Sequence, residues 1–213
     1  MEEGRRAGQE RLKGGVPRPV LELILRWATW RNILVLWAVL AAFNLLVVGP
    51  AYRRIAELSG GVGAIDFLIV YRPEKAYDMI SAYGRQARGY YATISLTLDS
   101  VFPLLSAVTF CLTLAGLFSR AFSREGVLHR ALFVPLGAMV ADLLENAGIV
   151  TMVLSYPKRL VPVALLTSSF STVKWTAVAA ESFLILIGLI AWLVSALRGE
   201  QPTGRTDALE DES

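Results

Sequence analysis

Long apolar runs separated by short polar segments set the pattern of this chain. The runs cover about Asn32–Val48, Tyr91–Phe118, Ala131–Leu154 and Thr172–Leu197, and the first stops at Gly49-Pro50. Each reaches the roughly 17 residues a helix needs to cross a hydrocarbon core. The pattern therefore predicts an all-α polytopic membrane protein, a four-helix transmembrane bundle with an extracytoplasmic loop between spans one and two.

The segments between the runs give the domain organisation. Residues 1–18 read as a disordered cytoplasmic tail, 19–198 as the membrane domain, and 199–213 as an acidic disordered tail, because neither tail has enough apolar surface to bury. The stretch PVLELILRWATWRN (19–32) is amphipathic; it suits a helix lying on the membrane surface or an inward extension of span one. Span one has too long a polar lead for a cleaved signal peptide and reads as an uncleaved anchor. The loop 51–90 holds LSGGVGAIDFLIVY, a glycine cluster and then an apolar run too short to cross a bilayer, which suits a re-entrant or surface-lying piece. Pro73, Tyr77, Ile80 and Tyr83, with Gly84 as the stop, predict a short helix over about 73–83. No internal repeat is visible.

Composition agrees with this class. Of 213 residues 54% are hydrophobic and only 18% charged, against about 25% charged in soluble domains. The net charge of +3 sits mostly in tails and loops, so it speaks to topology; no basic patch with interleaved aromatics and no nucleic-acid motif occurs. The partner this implies is the lipid bilayer, with a homo-oligomer or a membrane partner as further candidates. A single cysteine, Cys111, excludes an intramolecular disulfide. A single histidine, His129, excludes bis-histidine haem ligation within one chain and a zinc site of the usual ligand set. Lys and Arg number twelve on the side of the termini and the turn between spans two and three, against eight on the other side. The positive-inside rule then puts both termini of this cell (inner) membrane protein in the cytoplasm. Trp175 and Trp192, 17 residues apart, span about 26 Å of helix and suit the two interfaces of span four.

Polar residues inside the spans carry the candidate chemistry. Asp142, Glu145 and Asn146 fall on one face of span three. A charged group exposed to lipid at that depth costs at least about 2.5–3.5 kcal/mol, so this face should turn into the bundle. Span two answers with Ser95, Asp99, Ser106 and Thr113 at helical spacing. Pro103 follows Asp99 by four residues and cannot donate to its carbonyl, so a kink or a freed carbonyl is expected there. Lys174 and Glu181 share a face of span four, Asn44 lies in span one, and Arg85 and Arg88 are placed at the outer rim.

Four acids stand beside one base at comparable depth, and they cannot all stay ionised without a proton, a bound cation or Arg85 and Arg88 reaching in. Mg2+ or Ca2+ is the cofactor that the pair Asp142 and Glu145 would hold. Plainer roles stand beside these: Asn44, Ser106 and Thr113 as interhelical contacts, Lys174 snorkelling beside Trp175, Glu181 paired with Lys174, and Cys111 as a small core residue.

Asp99 with Pro103, DLLEN at 142–146, STVKW at 171–175 and YGRQARGYY before span two resemble an uncharacterised family of small four-span bacterial integral membrane proteins with a D-x-x-E-N motif in span three. The resemblance covers roughly residues 65–195. It implies the four-span architecture and a site at Asp99, Asp142, Glu145, Asn146 and Lys174, and it implies no substrate.

The leading functional expectation is a buried acidic site, in the outer half of the bundle, that binds or transports a cation, a proton or a small polar ligand. One alternative is a membrane-embedded enzyme on lipid or isoprenoid substrates, with D-x-x-E-N holding Mg2+ and Arg85 and Arg88 a phosphate. Another is a structural subunit whose polar face meets a partner's spans.

Overall fold

The computed structural model describes residues 17–121 and 125–198. The tails and part of the basic turn between spans two and three lie outside the described residues. Helices account for most of the described chain, and no strand occurs among the described residues. Four helical stretches are long and apolar enough to cross a membrane: Trp30–Leu58, Gly84–Arg120, Arg130–Ser155 and Val161–Leu197. The fold is thus an α-helical bundle of a multi-pass membrane protein.

Helix α1 (Arg18–Trp27) is separate from the first span. The chain breaks at Ala28, and Thr29 caps α2 (Trp30–Phe43) by accepting from the Asn32 N–H at 3.3 Å. Leu21 of α1 is buried in the same apolar cluster as Leu114 and Leu117.

The expected stop at Gly49-Pro50 is overturned. Helix α2 passes into a π turn, Asn44–Val48, and on into α3 (Gly49–Leu58). Pro50 has no N–H to offer and would break a regular helix. The wider turn accommodates it: the Gly49 N–H reaches back to the Asn44 carbonyl, five residues earlier.

Much of the stretch read as a loop is helical. Gly60 and Gly61, with φ of 69° and 99°, turn the chain out of α3 in a backbone region that glycine adopts at little cost. Residues 62–72 then dip back into the bundle through a 3-10 turn, Ile65–Phe67. Helix α4 (Pro73–Ala82) follows, then α5 (Gly84–Leu96) and α6 (Leu98–Ala121). Span two is thus α5 and α6 together, broken at Thr97, and it begins seven residues before the expected Tyr91.

Helix α7 (Glu125–Ser155) is span three, and α8 (Val161–Leu197) is span four. The expected start of span four at Thr172 is 11 residues too late. The polar run before it fits within a helix because its hydroxyls are satisfied on their own backbone: Thr167 donates to the Val163 carbonyl at 2.7 Å, Ser169 to Leu165 at 3.0 Å and Thr172 to Ser168 at 3.0 Å.

Two apolar clusters fill the ends of the bundle. One gathers Ile55, Ile65, Tyr77, Ile80, Tyr91, Ile149 and Met152. The other gathers Ile33, Leu114, Leu117, Phe118 and Leu132. Trp30 packs on Trp192 with ring centroids 5.3 Å apart, so the start of span one and the end of span four lie at the same end of the bundle. At the other end the Tyr77 hydroxyl meets the backbone N–H of Leu160.

Helices α7 and α8 approach closely at Gly148, where an added Cβ would stand 2.0 Å from the Thr167 Oγ1. Helix α2 turns much of its surface outward: Leu34, Val35, Leu45 and Leu46 all lie exposed on it or its π turn, as lipid-facing residues do.

Candidate functional site

Between the two apolar clusters lies a layer of charged and polar side chains, and Lys174 is at its centre. It is buried, at 8% exposure. Its helix starts at Val161, which puts Lys174 about 20 Å along α8, well inside the bundle. The ammonium forms an ion pair with Glu145 Oε2, stands 3.4 Å from Asp142 Oδ1, and donates to the Asp66 carbonyl at 3.2 Å. Asp142 and Glu145, three apart on α7, therefore face one cation from one helix face. Glu145 is wholly buried. Ser171, three residues before Lys174, lies between the Glu145 carboxylate and the Leu68 carbonyl, 2.9 Å away. One hydroxyl proton serves one of these acceptors at a time.

Asp66 belongs to the 3-10 turn that dips into the bundle, and it is buried. Its carboxylate accepts from the hydroxyls of Tyr52 on α3 and Tyr91 on α5. Tyr91 in turn accepts from the Ile65 N–H at 3.0 Å. The Asp66 carbonyl takes the Trp175 indole N–H at 3.3 Å as well as the Lys174 ammonium. One residue thus ties three spans together through charge-assisted and neutral hydrogen bonds.

Two further tyrosines pack around this turn. Tyr83 donates to the Gly63 carbonyl at 2.8 Å. Burial pushes the phenols of both Tyr71 and Tyr83 well above the ordinary value; nearby Glu145 and Asp66 add to the rise at Tyr71, and Asp66 at Tyr83. Both stay protonated through the physiological range.

Asp99 sits in the first turn of α6. Pro103 frees its carbonyl, and Asn146 of α7 fills the vacancy: the Asn146 amide donates to the Asp99 carbonyl at 3.0 Å. The third residue of the D-x-x-E-N face therefore has a structural partner in the carbonyl that a proline of another span leaves free.

Not every buried group is satisfied. Among the described residues, Asp99 Oδ2, Glu181 Oε2, Ser95 Oγ and the Asn146 side-chain oxygen have no hydrogen-bond partner. Asp99 and Glu181, 7% and 3% exposed, both line a cavity of about 940 Å3 between α2, α3, α6, α7 and α8. Asp66, Asp142, Lys174 and Trp175 also line it, and apolar and aromatic side chains make up most of the remaining wall.

Of the sequence-predicted residues, the structure gathers Asp99, Asp142, Glu145, Asn146 and Lys174 into this layer. Glu181 lies seven residues beyond Lys174 on α8, about 10 Å along the axis, and the ammonium pairs with Asp142 and Glu145 instead. Arg85 and Arg88 are not part of the site. Gly84, with φ of 67°, turns the chain sharply between α4 and α5. Arg85 is exposed, and Arg88 donates to the Ile80 carbonyl at 3.1 Å and lies 4.5 Å from the Tyr156 ring centre.

The expected metal position at Asp142 and Glu145 is taken by the Lys174 ammonium. Among the described residues no group of three or more His, Cys, Asp or Glu side chains is arranged to hold a metal ion. Trp175 is a cavity-wall residue bonded to the Asp66 carbonyl. Of the plainer candidates, Asn44 and Ser106 line the cavity, Thr113 accepts from the Trp37 indole at 3.1 Å, and Cys111 is buried in the apolar cluster.

Asp66, Tyr52, Tyr91 and Ser171 are the residues sequence reasoning missed. Asp66 had a signal: a lone acid within the apolar run AIDFLIV, directly after a glycine cluster. The tyrosines had none, since their role depends on where that turn lands.

Fold and site together define the class: a multi-pass α-helical membrane protein with a buried, carboxylate-rich layer that lines a cavity between its helices. Compared with known protein families, curated proteins and solved structures, the chain matches none.

Proposed function

We propose that this protein is an intramembrane binding protein of transport type, which takes a cation or a cationic small molecule into the polar layer. The observation that carries the reading is the pair Asp99 and Glu181. Both are buried carboxyls, each with one oxygen that has no partner among the described residues, and both face the same cavity. A buried charge or acceptor left alone is costly, so the natural complement is a donor that arrives with its own positive charge. Lys174 does not serve, because Glu145 and Asp142 already engage it. The charge asymmetry of the loops supports an inner-membrane protein with both termini cytoplasmic, which puts Asp66 and its turn on the outer side.

The test is thermal stability of the protein in lipid nanodiscs with Na+, K+, Mg2+ or methylammonium at constant ionic strength. A cation that binds the layer raises the melting temperature of the wild type and not of Glu181→Gln or Asp99→Asn. Identical cation profiles for all three proteins would remove the reading. Orientation is tested separately by Lys75→Cys, an exposed position on α4, with the native Cys111 buried as a quiet background. Labelling by an impermeant maleimide only after the membrane is opened would reverse the proposed topology.

A further inference from the structure

The cavity is far larger than an ion needs. Its volume of about 940 Å3 lies in the range of roughly 300–1,000 Å3 that accommodates organic ligands. That is on the order of thirty times the volume of one liquid water, about 30 Å3.

Its wall is of two kinds. Trp37, Leu40, Phe102 and Phe110 offer an apolar and aromatic surface from α2 and α6, while the acids lie on α6, α7, α8 and the 3-10 turn. A small inorganic cation would engage the acids and leave this apolar surface without a complement. A neutral lipid tail would cover the surface and leave the acids unanswered.

Charge narrows the choice further. Four carboxyls line the cavity, those of Asp66, Asp99, Asp142 and Glu181, against Lys174 and the exposed Arg53. Asp66 is answered by two phenols and Asp142 by Lys174. Glu181 Oε2 is left without a hydrogen-bond partner, since that ammonium pairs with Asp142 and Glu145, and so is Asp99 Oδ2. Carboxylate oxygens only accept, and aromatic faces attract cations. Both features favour a protonated nitrogen over an anion or a neutral head.

We propose that the cavity binds a lipophilic amine, with its ammonium held by Glu181 and its hydrocarbon or aromatic body along Trp37, Phe102 and Phe110. Asp99 is the second acceptor, for a ligand that carries a further N–H or O–H group. This inference rests on the binding-site reading above and adds the ligand's chemical class.

Three probes with one body and different heads separate the two. 4-Phenylbutylamine, 4-phenylbutanol and 4-phenylbutanoate are titrated into the full chain in nanodiscs, with empty nanodiscs as the reference. Binding is followed by the fluorescence of the cavity tryptophans, Trp37 and Trp175. The amine should bind at least about ten-fold more tightly than the alcohol or the acid, a difference of about 1.4 kcal/mol, and Glu181→Gln should erase that preference. Asp99→Asn repeats the comparison if Glu181→Gln does not fold.

Ser106 lines the cavity as a small, half-buried residue. Ser106→Phe should therefore weaken the amine about ten-fold. Equal binding of all three heads would mean simple partition into lipid and would overturn the proposal. If methylammonium binds as tightly as 4-phenylbutylamine, the organic ligand fails and the cation site stands. If the protein responds to no amine and no cation, both readings fall together.

Discussion

Replacing Lys174 with methionine should be the most damaging single change in the polar layer. The side chain keeps its approximate volume and loses its charge. Glu145, with 0% exposure, is then left with no cation, and Asp142 loses its contact at 3.4 Å. Removing one partner of a buried ion pair costs about 3–5 kcal/mol, because the other charge stays buried without compensation. The hydrogen bond from the ammonium to the Asp66 carbonyl goes too, which adds about 0.5–1.5 kcal/mol. For a chain of this size, about 2–4 °C of melting temperature accompany each kcal/mol, so a fall on the order of 10 °C is expected. The assay is a thermal melt in nanodiscs of the wild type, Lys174→Met, Glu145→Gln and the double variant. The double variant should recover most of the loss, since the amide that replaces the Glu145 carboxylate needs no counter-charge. A loss below about 1 kcal/mol in Lys174→Met, or strict additivity of the two changes, would refute the reasoning that this ammonium compensates Glu145.

Three further outcomes are expected. Asn146→Leu should cost about 1–3 kcal/mol by orphaning the Asp99 carbonyl; Pro103→Ala in that background should return an N–H and recover part of it, so a double-mutant cycle in nanodiscs should show non-additivity. Gly148→Ala should destabilise by about 1–3 kcal/mol through overpacking, since its Cβ would meet Thr167 at 2.0 Å, and Thr167→Ala should relieve part of the loss in the same melts. Tyr71 and Tyr83 have phenols held above their unfolded value of about 10. The stability this contributes is complete below pH ~10 and is lost as pH rises towards the folded values; absorbance titration at alkaline pH should show late phenolate formation that is reduced in Tyr83→Phe.

The parts of this molecule that were legible in the sequence are those whose physics is local. A carbonyl four residues before a proline lacks its helical donor in any surroundings, so the exposed acceptor at Asp99 could be read from Pro103 alone. That Asn146 supplies the donor depends on how α6 and α7 lie together, which no spacing within one helix encodes. The four apolar runs were legible because a bilayer demands them. Their limits were not, because Gly49-Pro50 passes through a π turn and because Thr167, Ser169 and Thr172 bond to their own helix instead of ending it.

The misplaced start of span four also left snorkelling open as a plainer role for Lys174, whereas α8 begins 13 residues earlier, at Val161. Asp66 escaped for a related reason. Its chemistry arises only when a glycine-hinged segment folds back between Tyr52, Tyr91 and Lys174, and long-range return of the chain leaves little trace in a linear pattern.

The sandwiching of the polar layer between two apolar clusters has an electrical consequence. With the bundle in a bilayer, the charged side chains of the layer lie partway along the membrane field, with an apolar cluster on either side. A unit charge crossing the whole field of 100 mV exchanges about 2.3 kcal/mol. An ion that enters the layer from one side crosses only a fraction of that drop, and leaving by the other side crosses the rest. Occupancy of the layer by the cation proposed above would therefore respond to membrane potential even when nothing passes through.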